Sequence, residues 1–236
     1  MEKGVLYLIP TVIAPNSESK SLPPDLINLC NSLDYYLVEN IRTARRCLSA
    51  MNISKPIPEI TFHELSKKTG DDQIESLMSP IFKGKSIGVM SEAGCPGIAD
   101  PGARAVAYAH ENNIRVEPWI GPSSIFLALM ASGFSGQSFA FSGYLPIDKK
   151  DKNIAIRNLE QAVFKTSQTQ IFMETPYRNN QLVEDILRIC APHLKMCIAK
   201  DINGEGEMIK TDTIQNWKKS KPELHKVPCI FLFGNN

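Results

Sequence analysis

A chain of 236 residues with 43% hydrophobic and 22% charged residues has an ordinary globular composition, which excludes fibrous and disordered classes. A formal net charge of +1 excludes a generally basic surface, so any nucleic-acid affinity must reside in a local patch. The length suits two domains of about 100 residues each, placed here at 1–118 and 119–236. In chain order, Val5–Ile9 reads as a buried strand closed by Pro10 and a loop rich in Pro, Asn and Ser. Leu26, Leu29, Cys30 and Leu33 follow at helical spacing, with Pro23 and Pro24 near the helix start where proline is tolerated. Tyr35–Glu39 is a second strand, followed by a helix from about Thr43 to Met51, a strand around Ile60–Phe62 and a helix through Ile74, Leu77 and Met78. The strand Ile87–Met90 enters a Gly/Pro loop, and Ala103, Val106, Ala107 and Ala109 mark the next helix. Gly133, Gly136 and Gly143 then interrupt the pattern. A polar helix from about Lys152 to Phe164 leads to the strand Gln170–Glu174 and to a helix with Leu182, Val183, Ile186, Leu187 and Cys190 on one face. The strands Met196–Ala199 and Val227–Phe233 complete an α/β series, which predicts mostly parallel or mixed sheets flanked by helices.

The densest chemical signal is Ser91–Gly102, with three glycines and two prolines in twelve residues after a strand. Glycine admits positive φ and close approach, and proline fixes φ, so the loop presents its peptide groups in one arrangement. A second loop, Gly121-Pro122-Ser123-Ser124, stands between a short apolar strand and a helix and places hydroxyls and free amide donors at a helix start. Ligands of open α/β sheets bind beyond the carboxyl ends of strands, where both loops are expected. The six cysteines (Cys30, Cys47, Cys95, Cys190, Cys197, Cys229) form no CxxC pair and no cluster at zinc-like spacing. They are read as reduced thiols, and no metal is expected. No apolar run of about 18 residues is present, so the expectation is no membrane span and a cytoplasmic location.

Five blocks carry a resemblance: Val38-Glu39-Asn40-Ile41-Arg42, Phe62-His63-Glu64, Ser91–Gly102, Gly121-Pro122-Ser123-Ser124 and Glu174-Thr175-Pro176-Tyr177-Arg178. In these blocks, in this order, the chain resembles the tetrapyrrole methylase superfamily, and within it the bacterial ribosomal small-subunit RNA cytidine 2′-O-methyltransferases. The resemblance implies a two-domain α/β enzyme that binds S-adenosylmethionine in a cleft between its domains, is commonly a homodimer and acts on ribosomal RNA or the small ribosomal subunit. By motif position, Ala93, Gly94, Cys95, Ile98, Ser123, Ser124 and Met173 are the expected cofactor contacts, made largely through backbone groups. The absence of G-x-G-x-x-G after the first strand agrees with a non-Rossmann site.

Methyl transfer to a ribose hydroxyl needs alignment behind the methyl group and an acceptor for the hydroxyl proton. Glu39, His63 and Glu64 are the catalytic candidates. Glu39 also reads as a partner of Arg42 or Arg45, and His63-Glu64 as an ordinary strand edge. Arg42, Arg45 and Arg46 share a helical face suited to phosphates or to solvent. Arg42 and Arg178 are the substrate-binding candidates, with Arg178 alternatively a structural partner of Glu174. The lysine runs Lys149-Lys150-Lys152 and Lys218-Lys219-Lys221 read as solvated surface, and Asp100 as a side chain bonded to its own loop.

The chain departs from the family pattern in its first loop, Pro10–Asn16, and at Asn40, where the family carries an acid. It also departs after Glu64 and at Asp201-Ile202-Asn203-Gly204. These departures motivate the alternatives of a tetrapyrrole or other small-metabolite acceptor, or of an inactive cofactor-binding relative.

Overall fold

Alternation along the first strands decides which side chains meet which helices, because successive strand residues face opposite sides of a sheet. The computed structural model describes residues 2–235. They fall into two compact units, the first ending at Ser123 and the second beginning at Ser124.

In the first unit, β1 (Leu6–Leu8), β2 (Tyr35–Val38), β3 (Thr61–Glu64), β4 (Ile87–Met90) and β5 (Val116–Pro118) form one sheet in the order β3-β2-β4-β1-β5. Every pairing in it is parallel. Ile9, Tyr36, Val38 and Met90 enter one core with Leu26 and Cys30 of α2 (Asp25–Ser32) and Ala44 and Leu48 of α3 (Ile41–Ala50). Leu6, Leu37, Ile87 and Val89 enter the other, with Ile74 and Met78 of α4 (Asp71–Met78) and Ala105 and Ala109 of α5 (Ala103–Glu111). The short helix α1 is Glu18–Ser21. Each fully buried aliphatic side chain contributes roughly 1.5–3 kcal/mol relative to exposure, so the two cores hold the sheet edge rigid from both faces.

The second unit begins with α6 (Ser124–Ser132) and contains β6 (Phe139–Tyr144), α7 (Lys149–Thr166), β7 (Thr169–Met173), α8 (Asn179–Ile189), β8 (Lys195–Lys200), β9 (Met208–Thr213), α9 (Ile214–Lys219) and β10 (Cys229–Gly234). Its sheet runs β6-β7-β10-β8-β9. Only β6 and β7 pair in parallel, and the other three pairings are antiparallel. The short connection from Lys200 to Met208 leaves β8 and β9 no room for a parallel crossover. Phe231 and Phe233 of β10 face Ile156, Leu182, Ile186 and Trp217 in one core, and α6 lies against β8, β9 and β10.

A buried ion group ties α7 to α8: Lys152 Nζ is 2.8 Å from Asp185, and Arg188 reaches the other Asp185 oxygen at 2.8 Å. Burial pushes the Asp185 carboxyl up, but the hydrogen bonds from Lys152 and Arg188 outweigh it and hold the group below the usual carboxylate range.

All six cysteines are free thiols, as expected. No helix among the described residues is long and apolar enough to cross a membrane, and no described cluster of His, Cys, Asp and Glu has the makeup of a metal site.

Candidate active site

Since the first sheet is wholly parallel, the carboxyl ends of its five strands lie along one edge, where the chain turns into loops. Three of these loops are fastened to one another. Thr11, beyond β1, exchanges backbone hydrogen bonds with Gly94: the Thr11 N–H donates to the Gly94 carbonyl at 2.9 Å, and the Gly94 N–H to Thr11 at 3.2 Å. Gly94 has φ +75°, and a Cβ there would lie 3.4 Å from both Ile13 and the Pro122 carbonyl oxygen. The Cys95 thiol donates to that same carbonyl at 3.5 Å. Burial pushes this thiol up from its ordinary value, so it stays protonated and keeps the donor that a hydroxyl would supply. Beyond β5, Gly121 lies against Pro10 so closely that a Cβ would come within 2.1 Å of the proline ring. Only glycine permits that approach.

On this fastened base, Ala93 and Ile98 point outward, with Ile98 53% exposed. Among the described residues, the N–H groups of Ala93 and Cys95 find no acceptor in the chain. Apolar side chains beside free peptide donors on a rigid turn fit a flat, polar-edged nucleoside such as the adenosyl group.

A group of carboxylates sits on the same edge. Glu39, just past β2, accepts the Glu92 N–H at 3.2 Å. It pairs with neither Arg42 nor Arg45 among the described residues. Asn40 caps α3, its side-chain oxygen accepting the Thr43 N–H at 3.1 Å, and the Thr43 hydroxyl donates to the Glu92 carboxylate at 3.0 Å. The cap role needs only a side-chain acceptor, so asparagine serves where the family carries an acid. Asp100 differs from its sequence reading: its carboxylate makes no hydrogen bond to its own loop among the described residues. Burial pushes it up to about 6, with the charges of Glu39 and Glu92 adding to the rise and Lys67 opposing it. Sequence offered no signal for this, since the shift comes first from burial and then from charges, Glu39 among them, that lie far along the chain.

The remaining candidates are dispersed. His63 packs its ring on Tyr35, centroids 4.9 Å apart, on the sheet face it shares with Leu37. Glu64, next in β3, is exposed and lines a polar cavity of about 490 Å³ with Ser66, Lys68 and Gln73. Arg42 is exposed, and Arg45 is drawn over the Phe62 ring at 5.4 Å. Ser123 closes the first unit, half-buried. In the second unit, Ser124 opens α6 and Met173 ends β7, both half-buried. Arg178 grips the buried Glu174 at 2.6 and 2.9 Å, and that carboxylate also accepts the Thr175 N–H at 2.6 Å.

Two α/β units, the first with a Gly/Pro-stiffened ligand edge outside parallel strands, define a class of small-molecule-binding enzyme. Over residues 37–217 the chain matches the family described as Tetrapyrrole (Corrin/Porphyrin) Methylases. It belongs to that family and is a methyltransferase by class. It is 32% identical to "Ribosomal RNA small subunit methyltransferase I" of Halalkalibacterium halodurans, across 99% of this chain and 77% of that one. To the protein of the same name from Vibrio cholerae it is 30% identical, across 87% of this chain and 67% of that one. Among solved structures, that of the methyltransferase CobJ superposes with a TM-score of 0.65 at 16% identity, covering 98% of this chain and 94% of that one, a likeness of fold.

Proposed function

We propose that the protein transfers a methyl group from S-adenosylmethionine to a ribose 2′-hydroxyl of small-subunit ribosomal RNA. The observation that carries this reading is the fastened turn of Thr11, Gly94, Cys95 and Pro122, together with the printed name of relatives at 30–32% identity. The cofactor, when bound, supplies an electrophilic methyl group on a sulfonium sulfur. The free N–H groups of Ala93 and Cys95 and the side chain of Ile98 would hold it, on the turn that Gly94 shapes, with Ser123, Ser124 and Met173 as the further contacts that the family pattern assigns. Much of the acceleration then comes from alignment, for which preorganised geometry is worth about 7 kcal/mol or more.

The acceptor hydroxyl needs its proton removed as the new bond forms. Asp100 takes that role: a carboxylate poised near neutrality is a stronger base than an ordinary one and is still ionised at pH 7. Glu39 acts beside it by holding the Glu92 peptide. Of the three carboxylic and imidazole candidates named from sequence, Glu39 therefore keeps a positioning part. His63 and Glu64 lie at the carboxyl end of the neighbouring strand β3, Glu64 in register with Val38. A homodimer working in the cytoplasm belongs to the same reading.

The test is incubation with cofactor labelled in its methyl group and with small subunits from cells lacking the modification. Label at a ribose oxygen of the RNA is the expected result. Label absent from RNA but present in a tetrapyrrole acceptor would replace this reading by a small-metabolite one.

A further inference from the structure

The lysine run at the start of α7 does not behave as one solvated patch. Lys152 turns inward to Asp185, whereas Lys149 and Lys150 remain at the surface and line a cavity of about 560 Å³ together with Arg157 and Arg188. The acids nearby are already engaged. Asp148 caps the helix, accepting the Lys150 and Asp151 N–H groups at 2.8 and 3.0 Å, and so occupies the helix's first donors. Asp185 is held by Lys152 and Arg188, and Glu160 accepts the Ala191 N–H at 2.7 Å. Asp151 does not line the cavity. Among the described residues, no carboxylate forms an ion pair with Lys149, Lys150 or Arg157, so the rim carries three unpaired cations against the single carboxylate of Asp148, which also lines the cavity.

The floor has different chemistry. Ile154, 49% exposed, and the half-buried Ile189 place apolar surface between these cations. A rim of cations about an apolar floor matches a nucleotide chain, whose phosphates take the charges while a sugar or base face covers the aliphatic groups. The other lysine run lacks this makeup, since Lys221 already faces Glu184 at 3.6 Å. Because the whole chain is nearly neutral, a local concentration of charge of this kind is what an RNA substrate requires.

We propose that the cavity between α7 and α8 is a docking track for the phosphodiester backbone of the RNA substrate, built from residues other than those assigned to methyl transfer. The proposal rests on the RNA-methylating function given above. Its test compares the wild type with K149E/K150E/R157E and with the milder K149Q/K150Q/R157Q. The probes are a fluorescent small-subunit RNA transcript, titrated between 50 and 200 mM salt, and intact subunits. Calorimetry with S-adenosylmethionine and a thermal melt verify each variant's fold. A track that loses three phosphate contacts gives at least tenfold weaker transcript binding at low salt and a salt slope shallower by about 2. The glutamine variant should fall between, with cofactor heat unchanged. Equal affinity and slope in wild type and both folded variants, with the wild type still methylating subunits, overturns the track alone. Weakened binding to intact subunits with unchanged transcript binding assigns the surface to an acidic ribosomal protein and also overturns it. A wild type that neither binds nor methylates RNA overturns both readings.

Discussion

The buried acids of the second unit and the sheet-edge acids of the first are treated in opposite ways. In the second, Glu174 is clasped by Arg178 and Asp185 by Lys152 and Arg188, so each buried acid has a cation in contact. In the first, Glu39, Glu92 and Asp100 share one sheet edge, and none of the three forms an ion pair among the described residues; Glu39 accepts the Glu92 N–H, and the Glu92 carboxylate accepts the Thr43 hydroxyl. A paired carboxylate is held ionised and inert. Asp100, half-buried without a cation in contact and beside like charges, is raised toward neutrality and becomes able to exchange a proton. The contrast separates acids that hold the fold from acids available for chemistry.

The sharpest way to break that contrast is to remove a structural acid. Asp185→Ala leaves Lys152 charged and buried without its partner, and the expected loss is about 3–5 kcal/mol in urea unfolding. A loss under about 1 kcal/mol would show that water reaches Lys152 and that the pair is not structural.

Next in size is Asp100→Asn. The expected effect is a fall of roughly 100-fold in methyl transfer at pH 7 and loss of the acid limb of the pH–rate profile, whose midpoint in the wild type should lie near the pKa of about 6. The linkage has a definite sign. A carboxyl raised from 3.8 to about 6 keeps its proton longer in the folded chain than in the unfolded one. Its share of the stability is full below pH 3.8 and is lost as pH rises toward 6. Asp100→Asn should therefore flatten the decline of stability across that window, and an unchanged slope would place the titrating group elsewhere.

The smallest expected effect is at Asn40. Asn40→Ala removes the α3 cap at a cost of about 1 kcal/mol and loosens the Thr43–Glu92 contact, whereas Asn40→Asp should retain both stability and activity. If Asn40→Asp raised activity more than tenfold, the family's acid at this position would have a chemical part beyond capping.

Much of the fold was legible because local pattern and tertiary role agree. The helix carrying Leu182, Val183, Ile186 and Leu187 is buried along that face, and the short apolar runs of β1, β2, β4 and β10 became central strands. β6 and β9 are instructive among the elements that sequence left out, which also include α9 and the single turn α1. β6 and β9 are the two edges of the second sheet, where Ser142, Gly143, Lys210 and Asp212 dilute the apolar signal because one side of the strand faces no neighbour. Their pairing depends on partners far along the chain, which periodicity does not register.

By itself, the sequence determined the α/β class, the strand ends at which the two loops lie and the family to which the chain belongs, since these rest on spacing and on motifs read locally. The tertiary structure alone decided which charges are compensated. It buried Lys152 against Asp185 while leaving Lys149 and Lys150 at a cavity, gave Arg178 to Glu174, and brought Glu39, Glu92 and Lys67 near Asp100. Electrostatic character is a property of through-space distance and burial, and neither is written in the order of residues along a chain.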